Sequence, residues 1–264
     1  MAKVDSKQLL RHIPALDREY HNPQTVPSSS GQPKFYWIFK NMDFERWQST
    51  GGLEVLWLSG PAGCRITDAL SYIADLVKGQ PAGAQHLVLY FFCSTAPAEA
   101  SIAITFVKTI IHQLISLPGL NREVTTAFLH TLLDTIIRGK LPSDPAPSCF
   151  QNVTADEMLE EILKTSSNGY WRALRAAMDV VRDQELSLMV DGLDKTGDQR
   201  RVFVTEILAF IDHLRERFPA TRVLLTSRPQ AEMKEILSEL PNIEYDKERK
   251  GSIISRSLRY ATLS

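Results

Sequence analysis

The chain has 264 residues, 44% hydrophobic and 23% charged, which is enough to bury a core in one large domain or at most two small ones. Its 30 Lys+Arg against 31 Asp+Glu leave a formal net charge of -1, so nothing in the balance favours nucleic acid or an anionic membrane surface. Three cysteines, Cys64, Cys93 and Cys149, with no C-x-x-C pair, argue against a disulfide framework or a zinc site.

The first twenty residues lack the continuous apolar run of a signal peptide, and the longest apolar runs are too short to span a bilayer. A reducing, cytoplasmic setting is the expectation. Residues 1–33 read as a polar N-terminal segment and linker, the stretch 22–33 carrying three prolines and a Ser28-Ser29-Ser30-Gly31 run. An aromatic patch follows: Phe35, Tyr36, Trp37, Phe39, Phe44 and Trp47. Its spacing suits two small helices capping a larger domain. Base stacking is the alternative, but few basic residues accompany the rings.

From residue 53 strands and helices alternate. Residues 53–58 form a short apolar run that ends in Ser59-Gly60-Pro61 and predicts a buried strand feeding a turn. Ala69, Leu70, Ile73, Ala74 and Val77 recur at helical spacing. Residues 86–93 predict a second strand, and 98–117 and 121–138 two helices. A proline-rich break at 141–149 precedes one or two amphipathic helices over 155–182. Residues 186–190 predict a third strand and 202–214 a helix. Residues 222–226 predict a fourth strand, 230–239 a short helix and 243–245 a short fifth strand. The charged tail from Lys247 is expected to be helical. Apolar strands separated by helices imply an α/β fold, a parallel sheet covered by helices on both faces. In such sheets ligands bind outside the carboxyl ends of the strands.

Three of those ends carry chemistry. Gly60-Pro61-Ala62-Gly63-Cys64-Arg65-Ile66-Thr67 follows the first strand and opens the first helix. The phosphate-binding pattern is G-x-x-x-x-G-K-[ST], in which backbone N–H groups wrap phosphates, lysine bridges them and the hydroxyl serves Mg²⁺. Here Gly60 and Thr67 are in place, while Arg65 stands for the second glycine and Ile66 for the lysine. The third strand ends in Asp191-Gly192-Leu193-Asp194-Lys195, an acidic strand tip of the kind that organises Mg²⁺ and an attacking water. Asp191 is the candidate metal-organising acid and Asp194 a second acid near the γ-phosphate. The fourth strand ends in Thr226-Ser227-Arg228-Pro229, where Arg228 is a candidate phosphate sensor. A plain turn explains each segment taken alone.

Together these segments resemble the NACHT-type P-loop NTPases of the STAND class, and most of all the nephrocystin-like N-terminal domain common in large fungal proteins. The matching pieces run from Phe35-Tyr36-Trp37-Ile38-Phe39 through Tyr90-Phe91-Phe92-Cys93-Ser94 and Ile111-His112-Gln113-Leu114 to Leu225-Thr226-Ser227-Arg228-Pro229. The resemblance implies a P-loop NTPase domain over 34–247, with a charged tail at 248–264. It implies ATP or GTP with Mg²⁺ as ligand, held at Gly60 to Thr67, with Thr67 and Asp191 serving the metal. It also implies a switch that oligomerises or meets a protein partner or a homologous NTPase, with no nucleic acid and no membrane. Asp194 and Arg228 would act on the water and the γ-phosphate. The departures at Arg65, Ile66 and Lys195, the last standing where the family has an acid, imply weak or absent hydrolysis. Two alternatives stay open: a pseudo-NTPase that only binds protein, and an active NTPase in which Arg65 replaces the lysine.

Overall fold

The computed structural model describes residues 5–13, 36–49, 54–78, 86–93, 101–139, 154–218, 220–246 and 252–256. The linker expected before residue 34, Phe35, the proline-rich break at 141–149 and the charged run 247–250 lie outside the described residues. In chain order the elements are α1 (Ser6–His12), α2 (Tyr36–Phe39), α3 (Met42–Ser49), β1 (Glu54–Ser59), α4 (Ile66–Lys78), β2 (His86–Phe92), α5 (Ile102–Ile115), α6 (Asn121–Gly139), α7 (Ala155–Ile162), α8 (Ser167–Asp179), β3 (Glu185–Asp191), α9 (Arg200–Arg217), β4 (Thr221–Ser227), α10 (Ala231–Ile236), β5 (Asn242–Asp246) and β6 (Ser252–Arg256).

These elements form two compact units. A sheet unit comprises Asp17–Ala96 and Asp183–Ser264, and a helical unit comprises Met1–Leu16 and Pro97–Arg182. The chain between β2 and β3 therefore builds a core of its own. In that helical unit Phe106 of α5 lies 5.3 Å from Trp171 of α8, ring centre to ring centre, and Phe128 of α6 lies 6.2 Å from Tyr170. Burial pushes the Tyr170 phenol up from its ordinary pKa, and its hydroxyl donates to Leu163 O at 2.7 Å. The helix α1 joins this unit. Asp5 accepts from the Gln8 backbone at 2.8 Å while the Gln8 side chain accepts from the Asp5 backbone at 3.1 Å, a capping box.

The sheet has the order β2-β3-β4-β1-β5-β6. The first five strands are parallel and β6 closes the edge antiparallel, with Asn242 opposite Arg256 and Asp246 opposite Ser252. Residues 252–256 are thus a strand, where the tail was expected to be helical. Two β-branched residues between polar neighbours favour an extended run, and the run satisfies the open backbone groups of β5.

Strand register sets the two faces. Tyr90, Met189, Leu224 and Leu56 are lateral neighbours across four strands. They pack in one cluster with Ala69, Leu70, Ile73, Ala74 and Val77, the apolar stripe of α4, and with Phe44 and Trp47 of α3. Trp47 also donates from Nε1 to Val223 O at 3.0 Å. Phe44 and Trp47 are therefore core, as packing rather than base stacking would have them. On the opposite face Phe91 of β2 meets Phe203 of α9 at 6.3 Å. Arg200 of α9 pairs with Glu232 of α10 at 2.9 Å. Helices thus cover both faces, as expected of this α/β class.

The chain leaves β1 for α4 on one face but leaves β3 for α9 on the other. Such a change of side opens a crevice at the carboxyl ends of the strands. Among the described residues no helix is long and apolar enough to cross a membrane.

At the opposite end of the sheet His86 is held 2.9 Å from Ser187 Oγ, its side chain only 8% exposed. Burial and the nearby Arg222 lower its pKa from 6.5, and Glu185 opposes them. As pH falls through 6.5 the unfolded chain takes up a proton that the folded chain refuses, so this stability is lost toward acid. Between about pH 7.5 and pH 5 the His86→Gln variant should lose less stability than the parent chain in urea unfolding. Equal losses would remove His86 as the cause.

Candidate functional site

The loop from Gly60 to Thr67 leaves the carboxyl end of β1 and turns directly into α4. The Gly60 N–H donates to Ser227 O at 3.4 Å, and the Cys64 N–H to Pro61 O at 3.2 Å. A Cβ on Gly60 would lie 2.7 Å from Cys64 Sγ, 2.8 Å from Ile66 Cδ1 and 3.2 Å from Tyr245 Cβ, so the loop closes on a glycine backbone. Arg65 has φ +62, the left-handed region. This accounts for a glycine in the motif there, and a side chain in that conformation costs about 1 to 2 kcal/mol.

The two substituted side chains leave the loop in different directions. Arg65 pairs with Asp68 one turn along α4 and is 46% exposed. Ile66 is 8% exposed and belongs to the apolar cluster with Leu58, Leu70 and Ile243. The position that carries lysine in the motif is here part of the core.

Asp191, at the tip of β3, has a side chain only 1% exposed. A buried carboxylate requires donors. Thr67 Oγ1, on the first turn of α4, lies 2.9 Å from Oδ2 and 3.1 Å from Oδ1. Thr226 Oγ1, at the end of β4, donates to Oδ1 at 2.6 Å and accepts from the Gly192 N–H at 2.9 Å. Lys195 Nζ lies 3.6 Å from Oδ2. The carboxylate thus gathers the loop helix, two strand ends and the turn after β3.

Asp194 sits on the turn after β3 with its side chain 5% exposed. Its Oδ1 accepts from the Arg228 backbone N–H at 2.9 Å, and Arg228 Nε lies 3.5 Å from Oδ2. Arg200 donates to Asp194 O at 2.8 Å. Asp194 and Arg228 therefore neutralise one another, and the Arg228 side chain remains 53% exposed. Cys93, just past β2, is 3% exposed. Burial pushes its thiol well up, the Asp191 and Asp194 charges push the same way and Lys195 opposes them, so it stays a neutral thiol.

Thr67 and Asp191 lie together as the pair expected to serve Mg²⁺. A hydroxyl that donates to the carboxylate keeps its lone pairs for a cation, so these two residues fit the ion. Lys195 does not fit. A dication about 4 Å from its ammonium would be opposed by roughly 8 kcal/mol at an effective dielectric near 20. Lys195 already cancels the charge of Asp191, so this set offers a divalent ion little net attraction there.

Of the residues singled out in the sequence, Gly60, Thr67, Asp191, Asp194 and Arg228 meet at the carboxyl ends of β1, β3 and β4. Pro61, Ala62, Gly63 and Cys64 line the turn between Gly60 and Thr67. Arg65 points outward and Ile66 inward. Two contributors escaped sequence reasoning. Thr226 lies inside the Thr226-Ser227-Arg228 segment, where the arginine carries the stronger chemical signal. Arg200 carried no signal, because it looked like any charged residue at a helix start.

Residues 34–136 match the protein-family model described as Nephrocystin 3, N-terminal. That stretch holds the loop and Thr67 but stops short of Asp191 and Arg228. The chain is also 26% identical over 115 residues to the vegetative incompatibility protein HET-E-1 of Podospora anserina. The match covers 42% of this chain and 8% of that protein, so the chain spans a small part of its relative's length. Both findings support the nephrocystin-like part of the resemblance.

Two substitutions follow from the geometry. Arg65→Gly should stabilise the domain by about 1 kcal/mol by relieving the left-handed backbone, read as a higher urea midpoint. An unchanged or lower midpoint would assign the Asp68 pair the larger role. Thr226→Val should destabilise by about 2 to 3 kcal/mol, since it orphans the Gly192 N–H and one lone pair of Asp191. A loss below about 0.5 kcal/mol would show that the hydroxyl is dispensable.

Proposed function

We propose that the β1–α4 loop, with the ends of β3 and β4, binds the phosphates of ATP or GTP, in a signalling-switch domain of the STAND type with weak or absent hydrolysis. The hydrogen bond from Thr67 to Asp191 carries the reading, because it joins residues 124 positions apart. A bland strand-turn-helix junction has no reason to join a helix-start hydroxyl to an acid at another strand's tip. The loop, the change of side at the strand ends and the nephrocystin-like match support the same reading.

Weak hydrolysis follows from what surrounds the site. Ile66 supplies no charge to a leaving phosphate, and Asp194 is engaged by Arg228 instead of a water. Arg228 is exposed enough to turn from Asp194 to a γ-phosphate, which is how loading would be sensed. The output would run through protein contact, with a homologous NTPase or another protein as partner.

A second reading, a protein-binding module without nucleotide, is favoured by one observation: Ile66 is packed in the core against a loop closed over Gly60. An active enzyme that uses Arg65 has the least support, because that guanidinium pairs with Asp68 outside the loop.

Thermal unfolding with ATP, ADP, GTP and GDP, in Mg²⁺ and in EDTA, separates these readings. A nucleotide at about 100 times its dissociation constant should add about 2.7 kcal/mol, a rise of several degrees. No rise with any nucleotide in either buffer would leave the protein-binding module. The double variant Arg65→Gly, Ile66→Lys should bind nucleotide about tenfold more tightly, the worth of one charge-assisted hydrogen bond. No gain would mean that the loop is closed to phosphate.

A further inference from the structure

We infer that Lys195 occupies the place of the divalent ion, so that the site takes a nucleoside polyphosphate free of metal; the inference rests on the phosphate-binding reading above. Three observations converge on it. The Lys195 ammonium lies 3.6 Å from Oδ2 of Asp191, a carboxylate side chain 1% exposed. That same carboxylate accepts from Thr67, the hydroxyl that ends the phosphate loop, so ammonium and loop meet on one group. Finally, the backbone is shaped around the lysine. Gly192 has φ +73, and a Cβ there would lie 3.0 Å from Lys195 Cδ, 3.2 Å from Cε and 3.3 Å from Nζ. The lysine therefore folds back over Gly192, in space that a side chain at 192 would fill.

The chemistry of this arrangement differs from that of a metal site. The ammonium has three donors and is 34% exposed as a side chain. One donor faces Asp191, leaving others for phosphate oxygens. A metal-free polyphosphate carries the excess negative charge that a lone ammonium can meet, whereas a magnesium complex would set a dication against Lys195. The positive charge missing at Ile66 is thus supplied by the turn after β3. An ammonium polarises phosphate far less than a magnesium ion, so the same substitution favours retention over turnover.

The test is calorimetric titration of the intact chain with ATP and with GTP, in EDTA and in excess Mg²⁺. At least one nucleotide should bind in EDTA as tightly as in Mg²⁺ or more tightly. Lys195→Met should weaken that binding about tenfold or more in EDTA, and Lys195→Arg should retain most of it. Gly192→Ala, which crowds the lysine off Asp191, should behave like Lys195→Met. Should Lys195→Met fail to fold, the parent chain in the two buffers still decides the matter. Binding that appears only with Mg²⁺ would overturn the inference and leave the phosphate site standing. Equal affinity in Lys195→Met and the parent chain would also overturn it. Absence of binding in both buffers, for the parent chain, would remove the inference together with the reading beneath it.

Discussion

A carboxylate buried to 1% exposure cannot be left without donors, and the sheet unit is organised around meeting that demand at Asp191. Its partners arrive from three directions in the chain: Thr67 from α4, Thr226 from β4 and Lys195 from the turn after β3. The Thr226 contact depends on the parallel register that sets the end of β3 beside the end of β4, and the Thr67 contact on β1 lying beside β4, while the Lys195 contact is local to the turn after β3. The same register puts Met189, Leu224 and Leu56 in one row beneath α4. The polar node and the apolar layer are thus two consequences of one strand alignment. Loss of the alignment would expose the layer and strip the acid of its two hydroxyl donors together.

Around this node the side chains are paired in a way that holds charge in place. Asp191 is answered by Lys195, Asp194 by Arg228, and Arg65 by Asp68. In a hydrolytic site the acids would face water and metal, and the cations would face phosphate. Here each acid already has a cation of its own chain. A ligand would have to exchange into these pairs, which suits a binding event read as a conformational change better than a rapid turnover cycle. Cys93, close enough for its thiol to feel three of these charges, is kept neutral by burial and adds no reactive group.

Much of the sheet was legible because fully buried parallel strands read as unbroken apolar runs between turn residues. The strands at 86–92, 185–191 and 221–227 lie within a residue or two of where the apolar runs end. The division into two units was not legible. An amphipathic helix shows the same stripe whether it covers a sheet or packs on other helices, so α5, α6 and α8 gave no hint of a separate core. The helix α1 could have been found from its Asp5 and Gln8 capping pair, but the surrounding polar residues masked it. The strand at 252–256 was hidden by charged neighbours, and it is defined by pairing with β5 rather than by its own pattern. In the site, motif spacing identified Gly60, Thr67, Asp191, Asp194 and Arg228. It could not say that Ile66 faces the core, that Arg65 turns outward or that Lys195 folds back, because side-chain direction depends on neighbours distant in sequence.

The most direct test of the account is amide chemical-shift mapping of the isotopically labelled chain titrated with ATP or GTP in EDTA. The account predicts saturable shifts at the amides of Gly60, 62–67 and 191–195, with the Thr226 and Arg228 amides following as the acid pairs rearrange. Shifts confined to other surfaces, or none until Mg²⁺ is supplied, would contradict it.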